Sequence, residues 1–263
     1  STPDHVKEAD IVVLQSPGTP QMVQVYNEAK KLKKPVLVEI DDLVHSVSMN
    51  NPGHDAWQPG TLYIHRFENL CQRADGMIVA TPQLAREYFL LNKNIFVFPN
   101  YLDRELWDLA QVRTPEDHVR IGWAGGNAHV DDLRMVAPVI ERIIQEYKGK
   151  VKFETMGLTK KELSNVFTLQ EFLDKCPKCD YQGEVFNAAG VPLGTYPQAL
   201  AAHGWDIAIA PVIDTAFNNA KSDLKLKEYS AVGYPMVASS VEPYESAERA
   251  GCRGEIRFLY GSK

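Results

Sequence analysis

The chain has 263 residues, 44% of them hydrophobic, with 28 Lys and Arg against 34 Asp and Glu for a formal net charge of −6. That length allows one large or two ordinary domains, each with a sizeable core. The acidic balance argues against a general nucleic-acid binder, whose affinity rests on cations meeting phosphates, and no apolar run reaches the roughly 18 residues of a membrane-spanning helix.

The chain opens at S-T-P-D without a Met or a signal-peptide pattern, and within a dozen residues it is already in a buried-strand pattern. Short β-rich runs then alternate with helical segments: I-V-V-L-Q from Ile11, a helical stretch from Pro20 to Leu32, P-V-L-V-E-I from Pro35, L-Y-I-H-R-F-E-N-L from Leu62, G-M-I-V-A from Gly76, a helical stretch from Pro82 to Leu91, and I-F-V-F-P-N from Ile95. Strands apolar on both faces and separated by helices imply a parallel sheet covered on both sides. The polar stretch Gln111 to His118 reads as a linker. After it the alternation restarts at V-R-I-G-W-A and runs through V-K-F-E-T-M-G, D-I-A-I-A-P-V and P-M-V-A-S-S to E-I-R-F-L-Y. The expected fold is α/β, with two doubly wound, Rossmann-like domains facing a cleft: residues 1–112 and residues 113–263.

Ligands of open α/β sheets sit beyond the carboxyl ends of strands, which singles out Gln15 to Gly18, Glu39 to Asp42, Thr81, Asn100, Gly125 to Asn127, and the loop Pro211 to Ser222. Gly125 and Gly126 follow a strand and precede a helix that begins near Asp131, so the backbone there can approach a phosphate closely. The turn is not G-x-G-x-x-G, and Met156-Gly157 stand where a nicotinamide fold would place an acidic residue. His129 in the same turn can donate to a phosphate or a sugar hydroxyl, or bond to its own loop. In E-I-D-D, alternation points Glu39 and Asp41 to one side and Asp42 to the other. Asp41 and Asp42 are candidates for binding sugar hydroxyls, for general-base work or for a divalent metal, with capping of the next segment as the structural alternative. The loop His45 to Gly60 carries His54 and Trp57, side chains suited to a sugar acceptor; otherwise Trp57 covers a core edge.

The stretch F-N-N-A-K-S-D-L-K-L-K-E-Y-S-A-V-G-Y-P-M-V-A-S, from Phe217 to Ser239, reads as a loop opening into a helix and then a strand. With Ser222 as the helix opener, Lys225 and Glu228 share a face, and Lys221 and the Ser222 hydroxyl stand at the N-terminal end. Free amides, the helix dipole and the lysines favour a diphosphate there, and a carboxylate two turns in suits a vicinal sugar diol. The bland alternative is a solvated amphipathic helix. Cys176 and Cys179 form one C-P-K-C, which is half of a zinc site, a redox pair, or two reduced bystanders. Cysteine usage points to the cytoplasm.

E-Y-S-A-V-G-Y-P-M-V-A-S resembles the E-A-M-A-x-G-x-P-V-V-A-S signature of GT-B glycosyltransferases of the group 1, family four type. V-F-P-N-Y-L-D, from Val97 to Asp103, is similar to the V-x-P-N-G-V-D found where that family's two domains meet, and G-W-A-G-G follows in the family's order. The resemblance covers nearly the whole chain at low similarity. It puts Glu228 at the donor ribose, but Ala220 stands where many members carry an earlier Glu. It further implies that the first strands and the closing helix of the family lie outside this sequence. Donor contacts would come from Gly125, Gly126, His129, Ser222, Glu228 and Asn100, acceptor contacts from His54 and Trp57, and chemistry from Lys221, Lys225, Asp41 and Asp42.

The expected activity is transfer of a sugar from a nucleotide diphosphate-sugar to a hydroxyl acceptor, with that donor as co-substrate and no cofactor; the resemblance implies that no metal is required and that the anomeric configuration is retained. The acceptor class, a glycan, a lipid-linked sugar or a small molecule, stays open, as does peripheral membrane contact. The alternative is a non-catalytic nucleotide-sugar or glycan-binding module on a degenerate GT-B fold. A sugar-phosphate isomerase or epimerase on a similar two-domain fold, interconverting a nucleotide-sugar without any acceptor, is a third.

Overall fold

A computed structural model describes residues 3–49, 51, 53–109, 117–167, 185–188, 190–249 and 256–259. The chain divides into two compact units. Unit 1 is residues 1–100 with Thr215–Ser222, and unit 2 is Tyr101–Asp214 with Asp223–Lys263. The expected linker lies almost wholly, and Cys176 and Cys179 entirely, outside the described residues.

Unit 1 contains β1 (Val12–Gln15), α1 (Pro20–Lys31), β2 (Val36–Ile40), α2 (Leu62–Arg73), β3 (Gly76–Val79), α3 (Pro82–Tyr88) and β4 (Ile95–Val97). Each helix starts on a threonine whose hydroxyl accepts a backbone amide: Thr19 from Met22, Thr61 from Ile64 and Thr81 from Leu84. For α1 and α3 a proline follows the cap at the first helical position, where its missing N–H costs nothing. The four strands are parallel and adjacent in chain order. Right-handed crossovers that all advance one way put the three helices on one face. There Val36, Val38, Met77 and Val79 pack with Val25, Phe67, Leu70 and Leu84. The other face carries Val13 and Phe96, each about half exposed, and Glu39.

Thr215–Ser222 returns to unit 1 from between two parts of unit 2. Phe217 and the fully buried Ala220 enter the unit 1 core, and the Ala220 carbonyl accepts the Thr81 hydroxyl at 2.8 Å. Docking of this segment changes the local reading of the sequence. Thr215 caps a separate one-turn helix, Ala216–Asn219, while the Ser222 hydroxyl accepts the Asn100 side-chain amide at 3.1 Å. Ser222 therefore does not open the next helix, which starts at Leu224 with Asp223 as its cap.

Unit 2 contains β5 (Val119–Ala124), α4 (Val130–Glu146), β6 (Val151–Met156), α5 (Lys160–Ser164), β7 (Val185–Ala188), α6 (Tyr196–Ala202), β8 (Ile207–Ala210), α7 (Leu224–Ala231), β9 (Met236–Ser239), α8 (Glu242–Arg249) and β10 (Ile256–Leu259). Its parallel sheet has the order β10-β9-β8-β5-β6-β7. Counted from β5 this is the dinucleotide-fold order 3-2-1-4-5-6 read from the far edge. Both faces are covered. Ala208 and Ala210 pack on one side with Leu200, Trp205, Tyr229 and Tyr244, and Ile209 packs on the other with Leu133, Ile140 and Phe153.

Candidate functional site

In unit 2 the strand order reverses between β5 and β8, so the crevice beyond their carboxyl ends is where this topology leaves room for a ligand. The turn after β5 builds one wall. The Gly125 amide donates to the Met156 carbonyl, and a Cβ at Gly125 would lie 2.5 Å from the Trp123 ring, so no side chain fits. Gly126 is exposed with nothing within 4 Å of a Cβ, which leaves its backbone open to a ligand. A 3-10 turn, Asn127–His129, leads directly into α4, a 17-residue helix whose cap gives no side-chain hydrogen bond to its first amides.

His129 ends that turn with its Nδ1 2.8 Å from Asp132 Oδ2. Asp132 is buried, and its Oδ1 accepts the Ile213 amide at 2.8 Å, tying the start of α4 to the loop after β8. An ionised carboxylate only accepts, so beside one Nδ1 is the ring nitrogen that carries the proton. The other acid of that turn, Asp131, pairs with Arg134.

A second cluster lies on α7 and α6. Lys225 Nζ donates to Glu228 Oε2 at 2.8 Å, the pair that i,i+3 spacing leads one to expect, and the Tyr196 hydroxyl donates to the same oxygen at 3.1 Å. The ammonium also stands 5.9 and 5.5 Å from the ring centres of Tyr196 and Tyr229. Tyr229 is fully buried and its oxygen accepts the Ala124 amide at 2.9 Å, which fixes α7 against the end of β5. Burial, then the Glu228 charge, pushes the Tyr196 phenol far above its usual range, so it stays a donor. Asp132 and Tyr196 escape the sequence reading. The H-x-x-D spacing at a helix start was a signal for the first, whereas Tyr196 lies 32 residues from Glu228 with none.

The remaining candidates belong to unit 1. Lys221 stands 4.7 Å over the Phe217 ring, and Ser222 and Asn100 bond to each other. Asp41 is exposed, whereas the Asp42 carbonyl accepts the Tyr88 hydroxyl. His54 is held within its own loop, its Nδ1 facing the Val47 carbonyl and its backbone carbonyl accepting Gln58 Nε2. Trp57 packs edge-on to Tyr63 and Phe67 at the margin of the core. A cleft of about 380 Å³ lined by His45, Thr61, His65 and Glu68 holds none of the candidates. Among the described residues no three His, Cys, Asp or Glu side chains converge as metal ligands, and no helix is long and apolar enough to cross a membrane.

These two parallel α/β units define a protein with the GT-B glycosyltransferase fold. Trehalose-6-phosphate synthase OtsA is similar to 97% of this chain and 63% of its own, at TM-score 0.60 and 12% identity. A UDP-forming α,α-trehalose-phosphate synthase from Burkholderia xenovorans matches 97% of this chain and 65% of its own at TM-score 0.56 and 11% identity. The GtfA/B complex matches 99% and 49% at TM-score 0.54 and 15% identity. The chain thus spans less than two thirds of the length of these structures. No protein-family model and no curated protein matches it.

Proposed function

We propose that the protein transfers a glycosyl group from a nucleotide diphosphate-sugar to a hydroxyl acceptor, and that unit 2 binds the donor. The observation that carries this reading is what meets at the β5–β8 switch point: the open Gly126 backbone, the N-terminal end of α4, and a histidine aligned by a buried aspartate. The exposed Gly126 backbone and the dipole of α4 favour a diphosphate. His129 Nε2 donates to a phosphoryl oxygen when the ring is protonated and accepts from a sugar hydroxyl when it is neutral. Such groups stabilise the charge that builds on the departing diphosphate as the glycosidic bond breaks. Glu228 takes the donor ribose, the acceptor belongs to unit 1, the anomeric configuration is retained, and no metal takes part.

The test is calorimetry with UDP and GDP, followed by a screen of nucleotide-sugars with products read by mass spectrometry. One nucleotide should bind selectively and its sugar should be transferred or released, with EDTA leaving the rate unchanged. His129→Ala should cost about 10²-fold in turnover, the usual scale for one transition-state donor. Failure of every nucleoside diphosphate to bind sinks the proposal. A second reading, a binding module without turnover, draws on Ala220: it sits fully buried in the unit 1 core where the related pattern has its first Glu. Selective binding without any product would favour it.

A further inference from the structure

The segment Thr215–Ser222 lies in unit 1, while the residues on either side of it lie in unit 2. Its seat in unit 1 is specific. Phe217 and Ala220 are buried in the core, the Thr81 hydroxyl donates to the Ala220 carbonyl at 2.8 Å, and the Asn100 side-chain amide donates to Ser222 Oγ at 3.1 Å. Both flanks then run straight into the candidate site. Two residues before Thr215, the Ile213 amide donates to Asp132 Oδ1, whose other oxygen holds His129 Nδ1, and the Val212 amide donates to Ser239 Oγ at 2.9 Å. One residue after Ser222, Asp223 stands at the cap of α7, the helix of Lys225 and Glu228, and pairs with Lys227 at 2.6 Å. A flank of two residues spans at most about 7 Å even when fully extended, so it has little slack with which to absorb a shift of the seat.

We infer that Thr215–Ser222 is a strap whose seating in unit 1 sets the geometry of the His129 and Glu228 clusters in unit 2. Seated, the strap presents the Ile213 amide to Asp132 and Asp223 to the first turn of α7. Unseated, it lets Ile213 leave the carboxylate, and the start of α4 loses its tie to the loop after β8. Coupling of this kind needs one segment with two arrangements that differ in free energy. The buried Phe217 ring and the Thr81 hydrogen bond supply that difference, because both are lost when the strap leaves its seat. The inference rests on the donor reading only for its consequence, that unseating weakens nucleotide binding.

Amide hydrogen exchange tests this at Ile213 and at Lys227, whose N–H closes the first turn of α7 on the Asp223 carbonyl. Phe217→Ala and Thr81→Val strip the seat of its ring and of its hydroxyl. Thr61→Val is the control: it removes the cap of α2 as Thr81→Val removes that of α3, but its hydroxyl serves Ala56 and Ile64. Both strap variants should speed exchange at Ile213 roughly tenfold, the scale of one hydrogen bond in a local opening, and Lys227 should follow. Thr61→Val should leave both rates alone, and wild-type rates in β5 and β6 show that unit 2 has stayed folded. Thr81→Ser, which keeps the hydroxyl, should restore the slow rates. In calorimetry with UDP and GDP, the nucleotide that the wild type holds should bind severalfold more weakly to both strap variants. Unchanged exchange at Ile213 in those variants, or equal quickening in Thr61→Val, overturns the inference and leaves the donor reading standing. Failure of the wild type to bind either nucleotide overturns the donor reading, while the exchange rates still decide the strap.

Discussion

Glu39 shows how a single side chain records its surroundings. Its Oε2 is buried without a partner, and desolvation followed by the neighbouring Asp41 charge pushes the carboxyl above its usual range, with a hydrogen bond from Gln15 working the other way. A carboxyl raised in the folded state holds its proton longer there than in the unfolded chain. Stability is therefore lost as pH rises from the usual carboxylate range through the folded value. Glu39→Gln should melt at a higher temperature than the wild type at neutral pH, and the gap should close as pH falls below the usual range; thermal melts across pH decide it. Asp132→Asn makes a second test. The amide keeps an acceptor for Ile213 but turns an N–H toward His129 Nδ1, so the ring proton must move to Nε2. Nitrogen chemical shifts of the imidazole should report Nδ1–H in the wild type and Nε2–H in the variant.

At the scale of elements, local rules account for most of unit 2 and long-range packing for the exceptions. β5 contains Gly122 because Trp205 lies flat against it: a Cβ there would come within 1.7 Å of the indole. The indole is in turn held by its Nε1 donating to the buried Glu154 at 2.8 Å. Gly122→Ala should cost about 1–3 kcal/mol or more by overpacking, measured by urea unfolding. The strands were legible as apolar runs because parallel strands covered on both sides need no polar alternation. The start of α7 was not. Ser222 has the chemistry of an N-cap, but its hydroxyl serves Asn100 instead, 122 residues away, and the cap falls one residue later, on Asp223.

At the scale of the molecule, the division into two units cuts the Phe217 to Ser239 stretch in two. Lys221 and Ser222 belong to unit 1, and Lys225 and Glu228 to unit 2. Phe217 is 8% exposed within the unit 1 core, so Phe217→Ala should cost unit 1 about 3 kcal/mol. Amide hydrogen exchange should then quicken in β1 to β4; equal quickening in β5 to β9 would contradict the assignment of this segment to unit 1.

What the amino-acid order determined by itself was nine of the ten described strands, the parallel α/β class, the glycine turn after β5 and the Lys225–Glu228 pair, because each depends on residues within a few positions of one another, whereas β7, α6 and the one-turn helix Ala216–Asn219 were not read from it. Only the tertiary structure decided that Thr81 receives Ala220 from 139 residues away, that Tyr196 joins Lys225 on Glu228, and that Ile213 steadies Asp132. Hydrogen-bond partners of that kind carry no period along the chain. They are selected when apolar burial brings distant segments together and every polar group drawn in with them must find a partner.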